Sequence, residues 1–97
     1  MTTPEAVLAM LNEIGNTVFV ADMKYHDRSP YWIDYVLTNG WEITIFDECE
    51  GSYDYVERVK PPGGEWIEMY DDAHPEWEHV NNHYGPPDAA RKELGLG

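Results

Sequence analysis

Basic residues are scarce in this chain. Its 97 residues include 19 Asp and Glu but only 6 Lys and Arg, which gives a formal net charge of −13. Nucleic-acid binding depends on Lys and Arg against phosphates, so direct binding to DNA or RNA is not expected. A charge of this size destabilises a compact state through self-repulsion. A cationic partner would explain it, and the alternative is that it serves solubility alone.

Cysteine and long apolar runs are also nearly absent. The single cysteine, Cys49, excludes an internal disulfide framework. No stretch approaches the ~20 apolar residues of a membrane helix, and no charged-then-apolar leader is present. A chain of 97 residues has the size of one domain. We therefore expect a single domain, 1–97, with no membrane span and no export signal.

Signatures of the common enzyme classes are missing as well. The chain has no phosphate-binding loop, nucleophile elbow or dinucleotide fingerprint. Cys49 lies between Glu48 and Glu50, whose charges disfavour the thiolate that a reactive cysteine requires. Carboxylate pairs occur in any acidic protein and indicate hydrolase chemistry only with a defined geometry. The sequence thus predicts a non-enzymatic protein with no catalytic residue.

What is present is a regular succession of one helix and several strands. The N-terminal TTPEAVLAMLNEIG predicts a helix with Thr3 as its cap, Pro4 in its first turn and Gly15 at its end. Asn39-Gly40 is a strong hairpin signal between two runs of apolar alternation. Alternation of apolar residues predicts strands at 17–25, 31–37, 41–47, 53–60 and 65–70.

The chain after Asp71 is rich in turn-forming residues. Two short helices are predicted there, at 75–80 and at 89–94, the second capped by Asp88 and ended by Gly95. Because the strands alternate, one face of the sheet is expected to lie on a helix and the other to face water. The predicted fold is α+β, with an N-terminal helix packed on a four- to five-stranded antiparallel meander sheet. A short irregular or helical C-terminal segment completes it.

Alternation also predicts which side chains of the fourth strand share a face. Strict period two places Tyr55, Glu57 and Val59 on one face. Asp54 and Val56 are then expected on the opposite face.

Negative charge is concentrated in one part of the chain. Residues 42–78 carry 12 acidic side chains against only Arg58 and Lys60, a local charge of −10. Acids at i and i+2 of a strand lie about 6.6 Å apart. That spacing is comparable to the distance between adjacent phosphates, and Glu48 and Glu50 have it if the third strand continues through the turn. Neighbouring aromatics can serve as interface anchors. The predicted partner-binding residues are Asp47, Glu48, Glu50, Tyr53, Asp54, Tyr55 and Glu57.

The histidines offer a different hypothesis. His79 and His83 are four residues apart and would share one face of a helix, with His74 and Asp71 close in sequence. Two histidines and a carboxylate can hold zinc or iron. The spacing matches no metal-site signature, so no metal ligand and no cofactor is predicted.

Two resemblances bear on function. Residues 39–66 are similar to a small uncharacterised bacterial domain family, in which a Gly-Trp strand leads into an acidic, cysteine-containing turn and an Asp-Tyr pair. Here that turn reads Asp47-Glu48-Cys49-Glu50, and the similarity implies no activity. In size, charge and aromatic content, though not by motif, the chain also resembles the small acidic inhibitors that phages encode. Anti-CRISPR proteins, some of them DNA mimics, are the leading example.

These observations define the leading hypothesis, a non-enzymatic inhibitor acting in the cytoplasm of a bacterial host. It would bind a cationic nucleic-acid-handling protein, foremost a CRISPR effector complex, and block access of the nucleic acid. An immunity protein against a basic nuclease toxin would show the same features. Two further hypotheses are a small metal-binding protein or enzyme based on the histidines, and an assembly protein of a phage particle.

Overall fold

The computed structural model describes residues 2–26, 29–47 and 54–96. Its elements, in chain order, are α1 (Pro4–Asn12), β1 (Val20–His26), β2 (Ser29–Leu37), β3 (Glu42–Asp47), β4 (Asp54–Lys60), β5 (Ile67–Glu68), the 3-10 turn Pro75–Trp77, α2 (Glu78–His83) and α3 (Asp88–Leu94). The strands form one antiparallel sheet in the order β1-β2-β3-β4-β5. The predicted α+β fold with an antiparallel meander is confirmed.

The N-terminal helix begins as the sequence indicates. Thr3 adopts an extended backbone conformation, and its Oγ1 accepts a hydrogen bond from the Ala6 N–H at 3.1 Å. Val7 and Leu11 are fully buried on one side of the helix, in line with their spacing. The helix ends at Asn12, and the chain turns sharply so that the Gly15 N–H donates to the Val18 carbonyl. This turn delays β1 until Val20, so the strand predicted from residue 17 begins three residues later.

The hairpin between β2 and β3 also follows the local signal. Gly40 has φ +89°, a conformation that glycine adopts without steric cost. The Trp41 N–H donates to the Asn39 side chain, and the Leu37 N–H donates to the Trp41 carbonyl at 2.8 Å. This turn sets the register in which Tyr35 lies opposite Ile43.

The pairing of β3 with β4 contains a β-bulge that strict alternation did not predict. Thr44 lies opposite Arg58 and Ile45 lies opposite Val56, so Glu57 is the extra residue on β4. Val56 and Val59 are consequently both buried. The expectation that Tyr55, Glu57 and Val59 share a face was therefore wrong. The bulge turns every β4 residue before Glu57 to the face opposite the predicted one.

The core lies between one face of the sheet and the three helices. Tyr35 connects the two layers, since its hydroxyl donates to the Leu94 carbonyl at the end of α3 at 2.6 Å. The Tyr84 hydroxyl reaches the Leu11 carbonyl of α1 at 3.5 Å. The fully or nearly fully buried side chains are Val7, Leu11, Ile14, Leu37, Ile43, Ile45, Val56, Val59, Met69, Val80, Ala90 and Leu94, together with Tyr35. The other face of the sheet has no helix on it among the described elements, and we call it the open face.

The C-terminal segment is more ordered than its composition indicates. The helix predicted at 75–80 is a 3-10 turn followed by α2, and the helix predicted at 89–94 begins one residue earlier. Asp88 is not its cap: Pro87 holds that position, with no side-chain capping hydrogen bond. β5 is much shorter than the predicted 65–70, although the Met69 N–H still donates to the Glu57 carbonyl.

Gly15 provides a test of how tightly α1 and α3 pack. A Cβ atom added there would lie 2.4 Å from the Ala89 carbonyl oxygen, and φ is +88°. We expect Gly15→Ala to lower the free energy of unfolding by about 3 kcal/mol, because strain and overpacking add. Chemical denaturation measures this change.

Gly63→Ala is the matched control. Its φ is also positive, at +69°, but nothing lies within 4 Å of an added Cβ. Its free energy of unfolding should fall by only about 1 kcal/mol, the cost of a left-handed backbone conformation for alanine. Equal losses in the two variants would contradict close packing of α3 on the turn after α1.

Candidate functional site

The seven predicted partner-binding residues fall into three groups. Glu48, Glu50 and Tyr53 lie outside the described residues, as does Cys49. Asp47 and Asp54 lie opposite each other at the ends of β3 and β4. Tyr55 and Glu57 are half-buried on β4, Tyr55 on the open face and Glu57 as the bulge residue.

Asp47 and Asp54 are withdrawn from solvent, contrary to the expectation of an exposed acidic turn. Asp47 is 8% exposed and the Asp54 side chain is 3% exposed. The bulge puts Asp54 on the core-facing side, where Asp47 already follows Ile45 in the alternation of β3. Arg91 of α3 reaches across and places its Nη2 2.9 Å from Oδ2 of Asp54. We call Asp47 and Asp54 the carboxylate pair.

Asp47 has a raised pKa because it lies beside Asp54. A hydrogen bond to Asp54 raises the pKa of Asp47 to about 6, with burial and the charge of Asp54 adding to the effect and Arg91 opposing it. Two close carboxylates cannot both ionise without repulsion. Asp47 also borders a depression of about 290 Å³ between β1 and the end of α3, which Glu93, Tyr25 and Met23 line as well. The pair therefore connects the turn end of the sheet to α3.

A polar network occupies the middle of the open face. Oδ1 of Asp34 accepts from the Thr44 hydroxyl and lies 3.0 Å from His26 Nε2. Arg58 donates through Nε to Thr44 at 3.1 Å, and its Nη2 lies 3.7 Å from Asp34. Burial alone raises the pKa of Asp34, but the hydrogen bonds from Thr44 and His26 and the nearby positive charges lower it overall. The network holds Arg58 in place, and its guanidinium lies 3.9 Å above the Trp66 ring.

Aromatic side chains cross the open face beside this network. Trp32 packs edge-on against Phe46, Phe46 stacks on Tyr55 at 4.9 Å, and Tyr55 contacts Tyr70 at 5.1 Å. We call Trp32, Phe46, Tyr55 and Tyr70 the aromatic row. Trp32, Phe46 and Tyr55 align because they lie opposite each other on neighbouring strands, and Tyr70 joins them from the turn after β5. Tyr70 is 47% exposed, so the row ends at the surface on the β5 side.

Glu57 connects the aromatic row to β5. Burial raises its pKa and the charge of Glu68 raises it further, while Arg58 and a hydrogen bond from Tyr55 act in the opposite direction. Glu57 and Glu68 line a depression of about 340 Å³ on the open face with His26, Trp32, Thr44 and Arg58. This carboxylate is thus partly accessible, unlike those of Asp47 and Asp54.

Exposed negative charge is instead concentrated at residues 65–78, which we call the acidic segment. It holds six acidic residues and neither Lys nor Arg. Glu65, Glu68, Asp72, Glu76 and Glu78 are exposed, and Asp71 is half-buried. Trp66 and Trp77 are half-buried and line a groove of about 280 Å³ with Ile67, Glu68, Asp71 and His74. The acidic segment therefore combines carboxylates with aromatic surface.

The histidines of the metal-site hypothesis are not assembled into a ligand set in the described part of the chain. No group of three or more His, Cys, Asp or Glu there could hold a metal ion. His74 lies beside Glu76, 3.5 Å from its carboxylate, and both side chains are more than half exposed.

Comparison of the chain with protein-family models, with curated proteins and with solved structures gives no match. Both resemblances drawn from the sequence therefore stay predictions. Among the helices of the described residues, none is long and apolar enough to cross a membrane.

Sequence reasoning missed the residues that organise this region. Nothing in the local pattern indicates that Arg91 pairs with Asp54 or that Arg58 lies on Trp66. The one signal was the shortage of bases, which made each basic residue a candidate partner for a buried acid. The charge count showed that residues 42–78 are strongly acidic, but it did not distinguish the acidic segment from the acidic turn before β4.

Replacing Asp47 tests the carboxylate pair. Asp47→Asn should raise the free energy of unfolding at pH 7 by about 1 kcal/mol, because it removes the repulsion from Asp54 and keeps a hydrogen-bond donor. The folded-state pKa near 6 exceeds the usual value of 3.8, so the folded wild type binds more protons between these values. Its stability should therefore rise relative to the variant as pH falls from 7 to 5.

Chemical denaturation at several pH values measures the difference. Asp72→Asn, at an exposed position, is the control and should leave the pH dependence of wild type unchanged. Parallel stability profiles for wild type and Asp47→Asn would contradict a raised pKa of Asp47 in the folded state.

Proposed function

We propose that this protein is a non-enzymatic inhibitor that binds a cationic nucleic-acid-handling protein, with a CRISPR effector complex as the leading candidate. It would act by covering the basic path that the nucleic acid follows. One observation carries the proposal: the acidic segment exposes five carboxylates with no Lys or Arg among them. Of the bases nearest in sequence, Lys60 lies 3.3 Å from Glu42, and Arg58 lies beside Asp34 and stacks on Trp66 of the acidic segment.

The position of these bases matters for the field outside the protein. Arg58 and Lys60 point to partners on the open face, so their charge offsets Asp34 and Glu42 first. Arg58 also lies against Trp66 and offsets part of the charge of the acidic segment, but six carboxylates outnumber it, and like charges on one surface add at long range. Such a surface accelerates the encounter with a basic partner and repels acidic competitors. Its expected salt dependence follows from a Debye length of about 10 Å at 0.1 M.

The groove of the acidic segment supplies short-range contacts. Trp66 and Trp77 offer ring surface, and Glu68 and Asp71 offer carboxylates beside it. An arginine side chain fits this combination because its planar guanidinium stacks on aromatic rings and pairs with carboxylates. Arg58 already takes this position on one Trp66 face. We therefore assign the groove as the site that takes arginine side chains of the partner.

Tyr55 and Glu57 extend the proposed surface onto the open face. Tyr70, exposed at the end of the aromatic row, joins them to the acidic segment. Asp47 and Asp54 support this surface from the other side of the sheet and are too buried to pair directly with a partner. Glu48, Glu50 and Tyr53 remain predicted contacts.

Charge reversal within the acidic segment tests the proposal. Glu65→Lys with Asp72→Lys should slow association with a purified CRISPR effector complex about tenfold and relieve its inhibition, because electrostatic steering is reduced. Wild-type binding should weaken as salt rises, and DNA should compete with it. Surface plasmon resonance and DNA-cleavage assays measure these effects.

Glu5→Lys with Glu13→Lys is the control, since it changes the net charge equally at exposed positions on α1 and the turn after it. Its association rate should stay within about twofold of wild type. Equal slowing by both double variants would indicate a general charge effect and not a defined surface. Binding to a basic nuclease toxin in place of the effector would favour an immunity protein.

A further inference from the structure

Exposed large apolar side chains are concentrated at the β1–β2 end of the sheet. Met23 and Tyr25 of β1 are 43% and 55% exposed, and Phe19, just before β1, is 41% exposed. Tyr31 and Val36 of β2 are also exposed. Among the described residues the only other member of this class is Tyr70, at the opposite edge. Met23 and Tyr25 lie on the core-facing side and Val36 on the open face, so apolar side chains flank the β1 edge on both faces and favour an interaction at that edge.

The β1–β2 end of the sheet is also nearly neutral. Residues 20–37 contain three acidic and two basic residues, a charge of −1 out of the total of −13. Two copies of so acidic a chain repel each other unless they meet where the charge is smallest. The β1–β2 hairpin is such a place, and a strongly basic partner would gain little from it.

β1 is also an edge strand, although the Val20 N–H at its start donates to Oε2 of Glu93 in α3 at 2.8 Å. It lies at one end of the strand order, and no strand of the described chain pairs with its other side. Asp22–Tyr25 is regular, while a bulge precedes it and another irregularity follows. The Met23 N–H donates to Oδ1 of Asp22 at 2.9 Å, at an exposed position. Strand addition would replace this local hydrogen bond, and an edge that has no strand partner is a template for such addition.

We propose that two copies of this chain form a closed dimer by antiparallel pairing of their β1 edges, centred on Met23. In a two-fold antiparallel pair, the residue before the centre lies opposite the residue after it. Asp22 of each copy then faces Lys24 of the other on the open face. On the opposite face Met23 meets Met23, and Tyr25 lies beside it near the bulge of the other copy. The strand is thus self-complementary in charge and buries its exposed apolar side chains.

This pairing has a definite consequence for assembly. Both β1 edges are used up in the dimer, so growth stops at two copies and a continuous ten-stranded sheet results. The acidic segment is at the other end of the strand order and stays accessible in each copy. The dimer does not depend on the proposed function, but it would present two acidic segments facing away from each other.

The mass of the full chain in solution tests the dimer. Sedimentation velocity at about 100 µM should give twice the 11.2 kDa of one chain. Higher salt should strengthen the dimer, because it screens the repulsion between two copies of charge −13. Binding to a cationic partner responds to salt in the opposite direction, so failure of one proposal is distinguishable from failure of the other.

Charge variants test the register. Asp22→Lys places Lys opposite Lys24, Lys24→Asp places Asp opposite Asp22, and each should weaken the dimer about tenfold. The double variant Asp22→Lys with Lys24→Asp restores both cross-strand pairs at unchanged net charge and should regain wild-type dimerisation. Glu76→Lys, which alters the net charge as much as Asp22→Lys at an exposed position of the acidic segment, is the control. Circular dichroism verifies that each variant is folded.

Several outcomes would overturn the proposal. A wild-type chain that stays monomeric at high concentration and high salt excludes the dimer. A dimer unaffected by Asp22→Lys and Lys24→Asp uses another surface. Failure of the double variant to regain dimerisation, with its fold intact, excludes the register centred on Met23. Species larger than two copies would contradict a closed interface and would favour open-ended assembly.

Discussion

The bulge at Glu57 is the constraint on which the arrangement of this protein depends. It lets Val56 and Val59 both enter the core, and it reverses the orientation of the chain before it. Asp54 is thereby turned inward to Asp47 and Arg91, and Tyr55 outward to Phe46. A single extra residue thus decides which acids are buried and which aromatics are displayed.

Burial of the carboxylate pair carries an energetic cost that the rest of the structure offsets only in part. Removing a carboxylate from water is unfavourable unless it gains a partner. Arg91 provides one for Asp54, and the cost for Asp47 is seen in its raised pKa. Because Arg91 belongs to α3, this compensation also fixes the C-terminal helix against the sheet. Local electrostatics and the packing of the last element are therefore linked.

The sheet separates two chemical environments along its strand order. Its β5 edge carries the acidic segment, and its β1 edge carries nearly neutral, partly apolar surface. Three of the six bases are committed to carboxylates within the chain: Arg58, Lys60 and Arg91. This leaves charge of one sign to face outward at one edge, where it can act on a partner at long range. The same separation gives the opposite edge the smallest barrier to self-association.

The sequence by itself determined the order of helices and strands and the meander of the sheet, because caps, turns and apolar alternation act over a few residues. Thr3, Gly40 and the alternation of β2 and β3 are examples, and the charge imbalance was equally plain. The tertiary structure alone decided to which face of the sheet Asp54 and Tyr55 point. It also decided the late start of β1 and the short length of β5. It also placed Arg91 on Asp54 and Arg58 on Trp66. These features arise from contacts between residues distant in the chain. A bulge, moreover, shifts the alternation from which the face of each side chain is inferred.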